Sequence, residues 1–379
     1  MKILLLGEYS RLHNSLKEGL VAQGHQVIIV STGDHFKKYD FDYSIHSTFF
    51  SDFWFIRKIK NLICKTTTID LEKIERAVRF YILLPKLKDF NHVQLINSDA
   101  IETYPFLARY LYKKLFQNIQ SRSLLVCGDE TPIIDYLFKK EMKYSVLTPY
   151  FEDNSLAKEF HFPLKYRTKS YRKTFDLIQN NCNSLIASDL DYKIPLEAMR
   201  YKAHFIPNPI NIDLIEFKEL EINAKVVIFL GINRGSYIKK GISFFEKALN
   251  IIKEKYESKV EIIISENIPY NQYIELYNRT HILLDQVYAY DQGYNALEAM
   301  AKGKVVFTGA ENEFTNHYNL IERVAINALP DVDSLVTELS FLIENPAELI
   351  AIGKRARAFI EKEHHYIKIA EKYVTVWNT

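Results

Sequence analysis

The sequence predicts an α/β fold with parallel sheets in two domains. Its 379 residues exceed what one ordinary hydrophobic core holds, and the composition, 47% hydrophobic and 25% charged, is typical of a globular protein. Residues 2–7 and 226–231 are continuous apolar runs that end in glycine and precede helical patterns, as strands covered on both faces do. Between them, IPNPINID at 206–213 carries two prolines and two asparagines, which indicates a linker.

The chain begins with a predicted β-α-β unit. Strand 2–7 is followed by a helix that Gly24 ends, and strand 27–30 comes next; the apolar face of the helix is formed by Leu12, Leu16, Leu20 and Val21. No second glycine follows Gly7 at the spacing of the dinucleotide fingerprint, which counts against a nicotinamide-dependent enzyme.

The α/β pattern continues through the first half of the chain. Predicted strands lie at 93–97, 124–127 and 184–187, and predicted helices lie at 70–87, at 102–118 and from 194. Asp129 and Glu130 directly follow one of these strands, at the edge where open α/β sheets bind ligands. They are candidates for the acceptor side of a site, but capping of the helix that begins at Thr131 is the favoured interpretation.

Residues 35–65 interrupt the pattern with interleaved aromatic and basic side chains. One interpretation is an acceptor or membrane-surface loop with an amphipathic helix near 53–64. The other, which we favour from the sequence, is a variable loop with a packed helix.

Charge is unevenly divided along the chain. Residues 1–205 contain 30 Lys and Arg against 23 Asp and Glu, and the remainder contains 19 against 24. The net charge of the whole chain is only +2, which gives no global nucleic-acid signal. A basic first half suggests an anionic partner, such as a membrane surface or a phosphorylated acceptor. An ordinary uneven distribution explains the counts as well.

Cysteine usage and apolar run lengths predict a cytoplasmic protein. The three cysteines form no C-x-x-C pair, which is typical of a reducing compartment without structural zinc. The apolar run at the N-terminus is too short for a signal peptide, and no run reaches the length of a membrane span. His364 and His365 lack a carboxylate or thiolate at ligand spacing, so we expect a structural role and no metal site.

The second half repeats the pattern around residues 282–306. Strands are predicted at 260–265, 282–285 and 305–308, and helices from 241, at 270–279, from 294 and at 335–349. The helix from Tyr294 begins behind Gly293, so its free N–H groups and its dipole form a potential anion site. Glu298, one turn further, could accept from two ribose hydroxyls, or it could simply be a first-turn glutamate of a half-buried helix that suits the helix dipole.

The run from Asp285 to Val306, DQ…GYNALEAMAKGKVV, resembles the donor-site signature of retaining GT-B-fold glycosyltransferases of family 4. The resemblance implies two Rossmann-like domains that face each other across a cleft. Residues 1–205 would form the acceptor domain, 206–223 the linker and 224–355 the nucleotide-sugar donor domain. A C-terminal helix at about 356–379 would cross back onto the first domain.

The resemblance also implies the residues that bind the donor. Arg234 and Lys240 match the positions that hold its diphosphate, and two cations with a helix N-terminus suit a pyrophosphate chemically. Backbone N–H groups of Gly293, Tyr294 and Asn295 would add to this site. Glu298 would bind the ribose, and the loop that contains Asn267 and Ile268 would lie against the nucleobase.

The sugar-contacting half of the signature departs from the family pattern, which has one Glu, seven residues and a second Glu. Glu298 matches the second, whereas the first falls on Tyr290, and the neighbouring Asp291 is the candidate substitute.

On the acceptor side, His13 and Asn14 lie at the start of the first helix, which faces the cleft in such folds. His13 could contact the transferring sugar or the acceptor hydroxyl, or it could be an ordinary surface histidine of that helix. Glu313 is expected to orient groups near the donor or to cap a helix.

The implied function is a metal-independent glycosyltransferase of hexosyltransferase type that requires no separate cofactor. It would transfer a sugar from a UDP- or GDP-sugar to a glycan or lipid-linked acceptor, with retention, in surface polysaccharide or glycoconjugate biosynthesis. The expected location is the cytoplasm, with peripheral contact to the inner membrane face. Two alternatives remain, a non-catalytic GT-B-like scaffold or partner subunit, which the non-acidic Tyr290 favours, and a nucleotide-sugar epimerase of the same architecture.

Overall fold

A computed structural model describes residues 1–33, 39–266 and 270–379 of the protein. Its first sheet is parallel throughout, with strand order β3-β2-β1-β4-β5-β6-β7. The strands are β1 Lys2–Leu6, β2 Gln26–Ser31, β3 Tyr43–Ser44, β4 His92–Leu95, β5 Ser121–Val126, β6 Ser184–Ala187 and β7 His204–Phe205. Helices cover both faces of such a sheet, which explains why its central strands read as continuous apolar runs.

The second sheet is also parallel, with strand order β12-β11-β10-β8-β9. Its strands are β8 Val226–Ile232, β9 Val260–Glu266, β10 Ile282–Leu284, β11 Val305–Thr308 and β12 Ile326–Asn327. Along β8, Ile228 and Leu230 join the buried cluster on one face, and Phe229 joins the cluster on the other. The two parallel sheets with helices confirm the predicted α/β class.

Ten α-helices are described before residue 200 and eight after residue 230. The first group is α1 Leu12–Ala22, α2 Phe49–Asp52, α3 Trp54–Thr67, α4 Leu71–Leu83, α5 Pro105–Phe116, α6 Thr131–Leu137, α7 Thr148–Glu152, α8 His161–Leu164, α9 Lys169–Gln179 and α10 Leu190–Ala198. The second group is α11 Tyr237–Lys240, α12 Ile242–Lys255, α13 Tyr270–Arg279, α14 Tyr294–Ala301, α15 Asn312–His317, α16 Val332–Glu344, α17 Pro346–Glu363 and α18 Tyr366–Trp377. Within the described ranges, no helix is long and apolar enough to cross a membrane.

The C-terminal helices differ from two sequence predictions. The helix predicted at 335–349 is broken at Asn345, because Pro346 restricts the preceding residue and starts α17 with a position that needs no N–H. Of the predicted crossing helix at about 356–379, only α18 packs on α1; residues up to Glu363 belong to α17, which packs on α14. The chain turns between them, where Ile210 of the linker bonds to the backbone of His364 and Tyr366.

We favoured a packed helix within residues 35–65, and the exposure of helix α3 contradicts this prediction. Residues 35–38 of that segment lie outside the described residues. None of the α3 side chains is buried. The amphipathic pattern is present, but Trp54, Phe55, Ile59 and Leu62 are exposed to solvent, and Ile56 and Ile63 are only partly buried.

Candidate active site

Loops at the carboxyl ends of strands from both sheets meet at one cleft. Gly128 and Asp129 follow β5, and Asp189 follows β6, whereas Gln286 and Gly293 follow β10. Together with their neighbours these residues line a cavity of about 180 Å³. A larger hollow of about 610 Å³, next to β6 and β7, has a lining that includes none of the predicted site residues. The cleft cavity is therefore the candidate active site.

Lys240 is held at this cleft by Asp285, which directly follows β10. Its Nζ lies 2.7 Å from Asp285 Oδ1, and Asn295 Nδ2 donates to the same oxygen at 3.2 Å. The Asp285 side chain is 2% exposed, whereas the Lys240 side chain is 33% exposed. A buried carboxylate thus fixes a cation that solvent or a ligand can still reach. Asp285 was not among the site residues predicted from the sequence, although its position directly after a buried strand was the available signal.

Gly293 forms the N-cap of α14 and leaves space around the helix N-terminus. Its carbonyl accepts from Leu297 N, and an added Cβ would approach nothing nearer than Gln286 Nε2 at 3.8 Å. The first-turn N–H groups of α14, including those of Tyr294 and Asn295, have no partner within the helix. Glu298, partly buried, lies one turn further along. Because Lys240 and Asn295 both donate to Asp285 Oδ1, Lys240 lies next to the predicted anion site at the N-terminus of α14.

Arg234 follows β8 and forms an ion pair with Glu266 at the end of β9. Arg234 Nε lies 2.7 Å from Glu266 Oε1, and a second guanidinium nitrogen contacts the other carboxylate oxygen. The pairing follows from strand register, which sets Ile232 beside Glu266. The Arg234 guanidinium lowers the pKa of Glu266. Asn267 and Ile268, the predicted nucleobase residues, lie outside the described residues.

Tyr290 and Asp291 bind the first domain rather than projecting freely into the cleft. The Asp191 carboxylate accepts from the backbone N–H groups of Tyr290 and Asp291 at 3.1 Å. In return, Asp291 accepts from Leu190 N at 3.0 Å and from Gln292 N at 2.8 Å. The Tyr290 hydroxyl accepts from Lys143 N at 2.9 Å. Both predicted sugar-contacting residues therefore hold the two sides of the cleft together.

Three aspartates meet at this contact: Asp189 and Asp291 are buried, and Asp191 is partly buried. Burial is the largest cause that raises the pKa of Asp189, Asp191 and Asp291, and the charges of the other two raise the pKa of Asp189 further. Backbone N–H donors to Asp191 and Asp291 act in the opposite direction without overcoming burial.

We expect this cluster to make the protein less stable as the pH rises towards neutrality. The folded state binds more protons than the unfolded state above about pH 4, the ordinary aspartate range, so the free energy of unfolding falls through the raised pKa values. Asp191→Asn keeps one acceptor oxygen and removes one titrating group. Its pH slope should be shallower than that of the unmodified protein, by at most about 1.4 kcal/mol per pH unit. Urea unfolding from about pH 5 to about pH 8, which spans the raised values, measures both slopes, and equal slopes would contradict the expectation.

His13 does not face the cleft as predicted. It is fully buried, with Nδ1 2.7 Å from Gly7 O and Nε2 3.3 Å from Gln94 Nε2. Burial lowers its pKa to about 4. The reason is periodicity, because His13 lies three and seven residues before Leu16 and Leu20 and shares their inward-facing side of α1.

Glu130 has the capping role that the sequence favoured, whereas Glu313 is at the surface. Glu130 caps α6, as favoured, since it accepts from Thr131 N at 2.9 Å, and burial raises its pKa to about 7. Glu313 is exposed in the first turn of α15. The neighbouring Glu311, which was not among the predicted site residues, is buried and accepts from Lys143 Nζ at 2.8 Å and from the Tyr144 hydroxyl.

The adjacent histidines at the end of α17 are structural contacts. His364 is buried with Nδ1 2.8 Å from Asn208 O, and His365 accepts from Ile367 N at the start of α18. In the part of the chain that the structure describes, no group of three or more His, Cys, Asp and Glu side chains is arranged to hold a metal ion.

Comparison with known proteins identifies a glycosyltransferase-like segment and the fold. Residues 241–375 match the family model described as glycosyl transferase-like. Sucrose-phosphate synthase from Thermosynechococcus elongatus is 15% identical, with a TM-score of 0.62 over 100% of this chain and 98% of that one. HepE from Anabaena in complex with UDP is 12% identical, with a TM-score of 0.57 over 100% of both chains. A search of curated proteins found no match.

An epimerase shares the fold too. UDP-GlcNAc 2-epimerase from Neisseria meningitidis, bound to UDP-GlcNAc, is 13% identical, with a TM-score of 0.53 over 99% of both chains. At these identities the structural likenesses establish the fold alone. Together with the family match they confirm the GT-B architecture and the resemblance to glycosyltransferases. Membership of family 4 and retention stay predictions.

Proposed function

We propose that this protein is a GT-B glycosyltransferase that uses a nucleotide-diphosphate sugar, with a UDP-sugar as the first donor to test. The observation that carries the proposal is Lys240, partly exposed and fixed by buried Asp285 beside the N-terminus of α14. The glycosyl transferase-like match, residues 241–375, contains both strand β10, which Asp285 follows, and helix α14. The UDP in the HepE complex, on a similar fold, supports the choice of base.

Each donor group has a proposed partner on the second domain. Lys240, Arg234 and the first N–H groups of α14 would hold the diphosphate, and Glu298 would accept from the ribose hydroxyls. The nucleobase would lie against Asn267 and Ile268. A cation and helix dipole placed there favour the doubly charged diphosphate over neutral ligands.

The proposed chemistry is dominated by stabilisation of the leaving diphosphate. When the bond from the anomeric carbon to the diphosphate oxygen breaks, negative charge grows on that oxygen, where Lys240 and the helix N–H groups already point their positive ends. The acceptor hydroxyl oxygen then bonds to the anomeric carbon, and its proton passes to the departing diphosphate oxygen. We propose transfer of a hexosyl group with retention and without a required metal, as the sequence resemblance implies.

The first domain would supply the acceptor side of the cavity. Asp129 and Asp189 line it, and carboxylates there can accept from the hydroxyls of a sugar. Asp291 and Tyr290 would act by fixing the loop between β10 and α14, since their side chains are engaged by Leu190 N and Lys143 N. A glycan or lipid-linked acceptor in polysaccharide or glycoconjugate biosynthesis is part of the proposal. So is a cytoplasmic location with peripheral membrane contact.

The first experiment is thermal unfolding with UDP, GDP, ADP and NAD. A ligand that binds only the folded state stabilises it by mass action, by about 2.7 kcal/mol at a concentration of 100 Kd, and so raises the melting temperature. We expect a shift with UDP and none with NAD. A shift with UDP followed by sugar transfer supports the enzyme, whereas interconversion of UDP-sugars without an acceptor would support the epimerase. No shift with any nucleotide favours the scaffold.

Arg234→Ala should weaken nucleotide-diphosphate binding by roughly 10- to 100-fold, the loss expected for one charge-assisted contact. Arg279→Ala is a matched control, because Arg279 pairs with Glu261 on the same domain and its side chain is 58% exposed against 57% for Arg234. Calorimetric titration with the nucleotide that shifts the melting temperature measures both. Equal affinities in the two variants would show that Arg234 does not bind the diphosphate.

A further inference from the structure

Helix α3 presents an apolar stripe to solvent. Phe55, Ile59 and Leu62 repeat at the four- and three-residue spacing of one helical face, and they are 65%, 44% and 63% exposed. Trp54 at the start of the helix is also exposed. Scattered exposed apolar residues are ordinary, but an aligned apolar stripe with an exposed tryptophan beside it marks an interaction surface.

All the charged residues of α3 are cations: Arg57, Lys58, Lys60 and Lys65. Lys58 Nζ lies 4.1 Å from the centre of the Trp54 ring, so this cation stays beside the apolar surface. Arg57 and Lys65 are exposed. The stripe is therefore bordered by positive charge, which complements an anionic surface.

The other side of α3 attaches it to the first domain. Ile56, Lys60 and Ile63 form a partly buried row, and Lys60 forms an ion pair with Glu72 of α4. This attachment leaves the stripe of Phe55, Ile59 and Leu62 facing outward. A helix with cations, aromatic residues and an outward apolar face has the composition of helices that lie in a membrane interface.

The neighbouring helices add to the exposed apolar surface. On α4, the exposed residues Ile74, Val78 and Tyr81 repeat at helical spacing, and α5 exposes Phe106 and Tyr110. The rings of Tyr81 and Tyr110 stack with their centres 6.3 Å apart, which joins the two helices. Helices α4 and α5 therefore share exposed apolar side chains of their own on the same domain as α3.

We propose that α3 docks the protein on a bilayer that contains anionic lipids. Phe55, Ile59 and Leu62 enter the interface between headgroups and acyl chains, and Arg57, Lys58 and Lys65 contact the lipid phosphates. The bilayer is the occupant that the charge favours, since a second copy of α3 would bring like charges together. The inference deepens the proposed membrane contact and rests on that part of the proposed function, because docking would bring a lipid-linked acceptor to the first domain.

The test is co-sedimentation of the full-length protein with phosphatidylcholine vesicles, with and without phosphatidylglycerol. We expect binding to the mixed vesicles that weakens with salt. The double variant Phe55→Ser with Leu62→Ser should bind at least about tenfold more weakly, because it removes two apolar side chains without changing charge. The matched control, Ile251→Ser with Ile321→Ser, removes two exposed isoleucines from the second domain and should bind normally.

The cations are tested separately by Arg57→Gln with Lys65→Gln, which leaves Lys60 and its partner Glu72 in place. Each lost cation should reduce binding to the mixed vesicles by roughly fivefold. Equal binding to neutral and anionic vesicles, or equal binding by the stripe variant and its control, would overturn the proposal. So would a protein that self-associates through the stripe and ignores vesicles, as light scattering would show.

The test of membrane docking can fail or succeed independently of the test of the proposed transfer reaction. Nucleotide-induced stabilisation of the same variants is measured without vesicles, and it should be unchanged because α3 is outside the cleft lining. A protein that binds anionic vesicles but no nucleotide supports docking and rejects the donor site. One that binds nucleotide but no vesicle rejects docking alone.

Discussion

Lys240→Met should reduce sugar transfer by at least about 100-fold, the usual loss when one group that stabilises a developing negative charge is removed. Lys240 Nζ is fixed 2.7 Å from Asp285 Oδ1, so its position is set before a donor arrives. Methionine keeps the length of the side chain and removes the charge. The rate of transfer from the donor that the nucleotide panel identifies is the measurement.

Loss of stability must be separated from loss of catalysis in this variant. Lys240→Met leaves the Asp285 carboxylate buried without its cation, and such a change is strongly destabilising. Combining it with Asp285→Asn removes the stranded charge, and the amide oxygen of the new side chain can still accept from Asn295. We expect the double variant to regain most of the lost stability and none of the transfer. Recovery of transfer along with stability would mean that Lys240 acts only through folding.

Gly309→Ala should destabilise the protein by about 3 kcal/mol, the upper part of the range for overpacking. A Cβ at Gly309 would lie 2.5 Å from both the N and the O of Asp291 and 2.6 Å from Ala289 O. These are backbone atoms of the loop between β10 and α14, so no side chain can rotate away. The loop itself would have to leave Asp191. Urea unfolding measures the change.

Gly293→Ala is the matched substitution at the end of the loop that Gly309 contacts, and here we expect no loss of stability. Its φ of −71° and ψ of 165° suit alanine, and the nearest atom to the added Cβ is 3.8 Å away. Stability should therefore stay the same within about 0.5 kcal/mol. The methyl group would occupy space at the N-terminus of α14, so nucleotide-diphosphate affinity should fall about tenfold, as measured by calorimetric titration. Unchanged affinity would mean that the diphosphate does not approach Gly293.

Local pattern in the sequence determined the elements that build the cleft. Ile282–Leu284 and Val305–Thr308 are strands because buried parallel strands must be apolar throughout, and that requirement is visible in any short run. Helix α14 begins after Gly293, as its composition predicts. The α/β class follows from such runs, and the donor-site resemblance depends on the same stretch of chain. The fold was therefore predictable well before any contact was known.

The position of Asp285 was predictable in part. Its place after β10 put it at the ligand edge of the sheet. The sequence does not say that it holds Lys240, because the two are 45 residues apart and meet only when β8 and β10 pair. His13 is a different case: its spacing to Leu16 and Leu20 already indicated the buried side of α1, and the resemblance led to the wrong expectation.

The sequence by itself determined the α/β elements, the basic first half and the amphipathic pattern of α3. Only the tertiary structure decided that Asp291 accepts from the first N–H of α10 while Asp191 of α10 accepts from the loop that holds Asp291, and that the apolar stripe of α3 stays exposed. The physical reason is the same in both cases. Periodicity along the chain reports that a face is apolar or that a turn is polar, whereas the partner of that face or turn is set by packing between segments far apart in sequence.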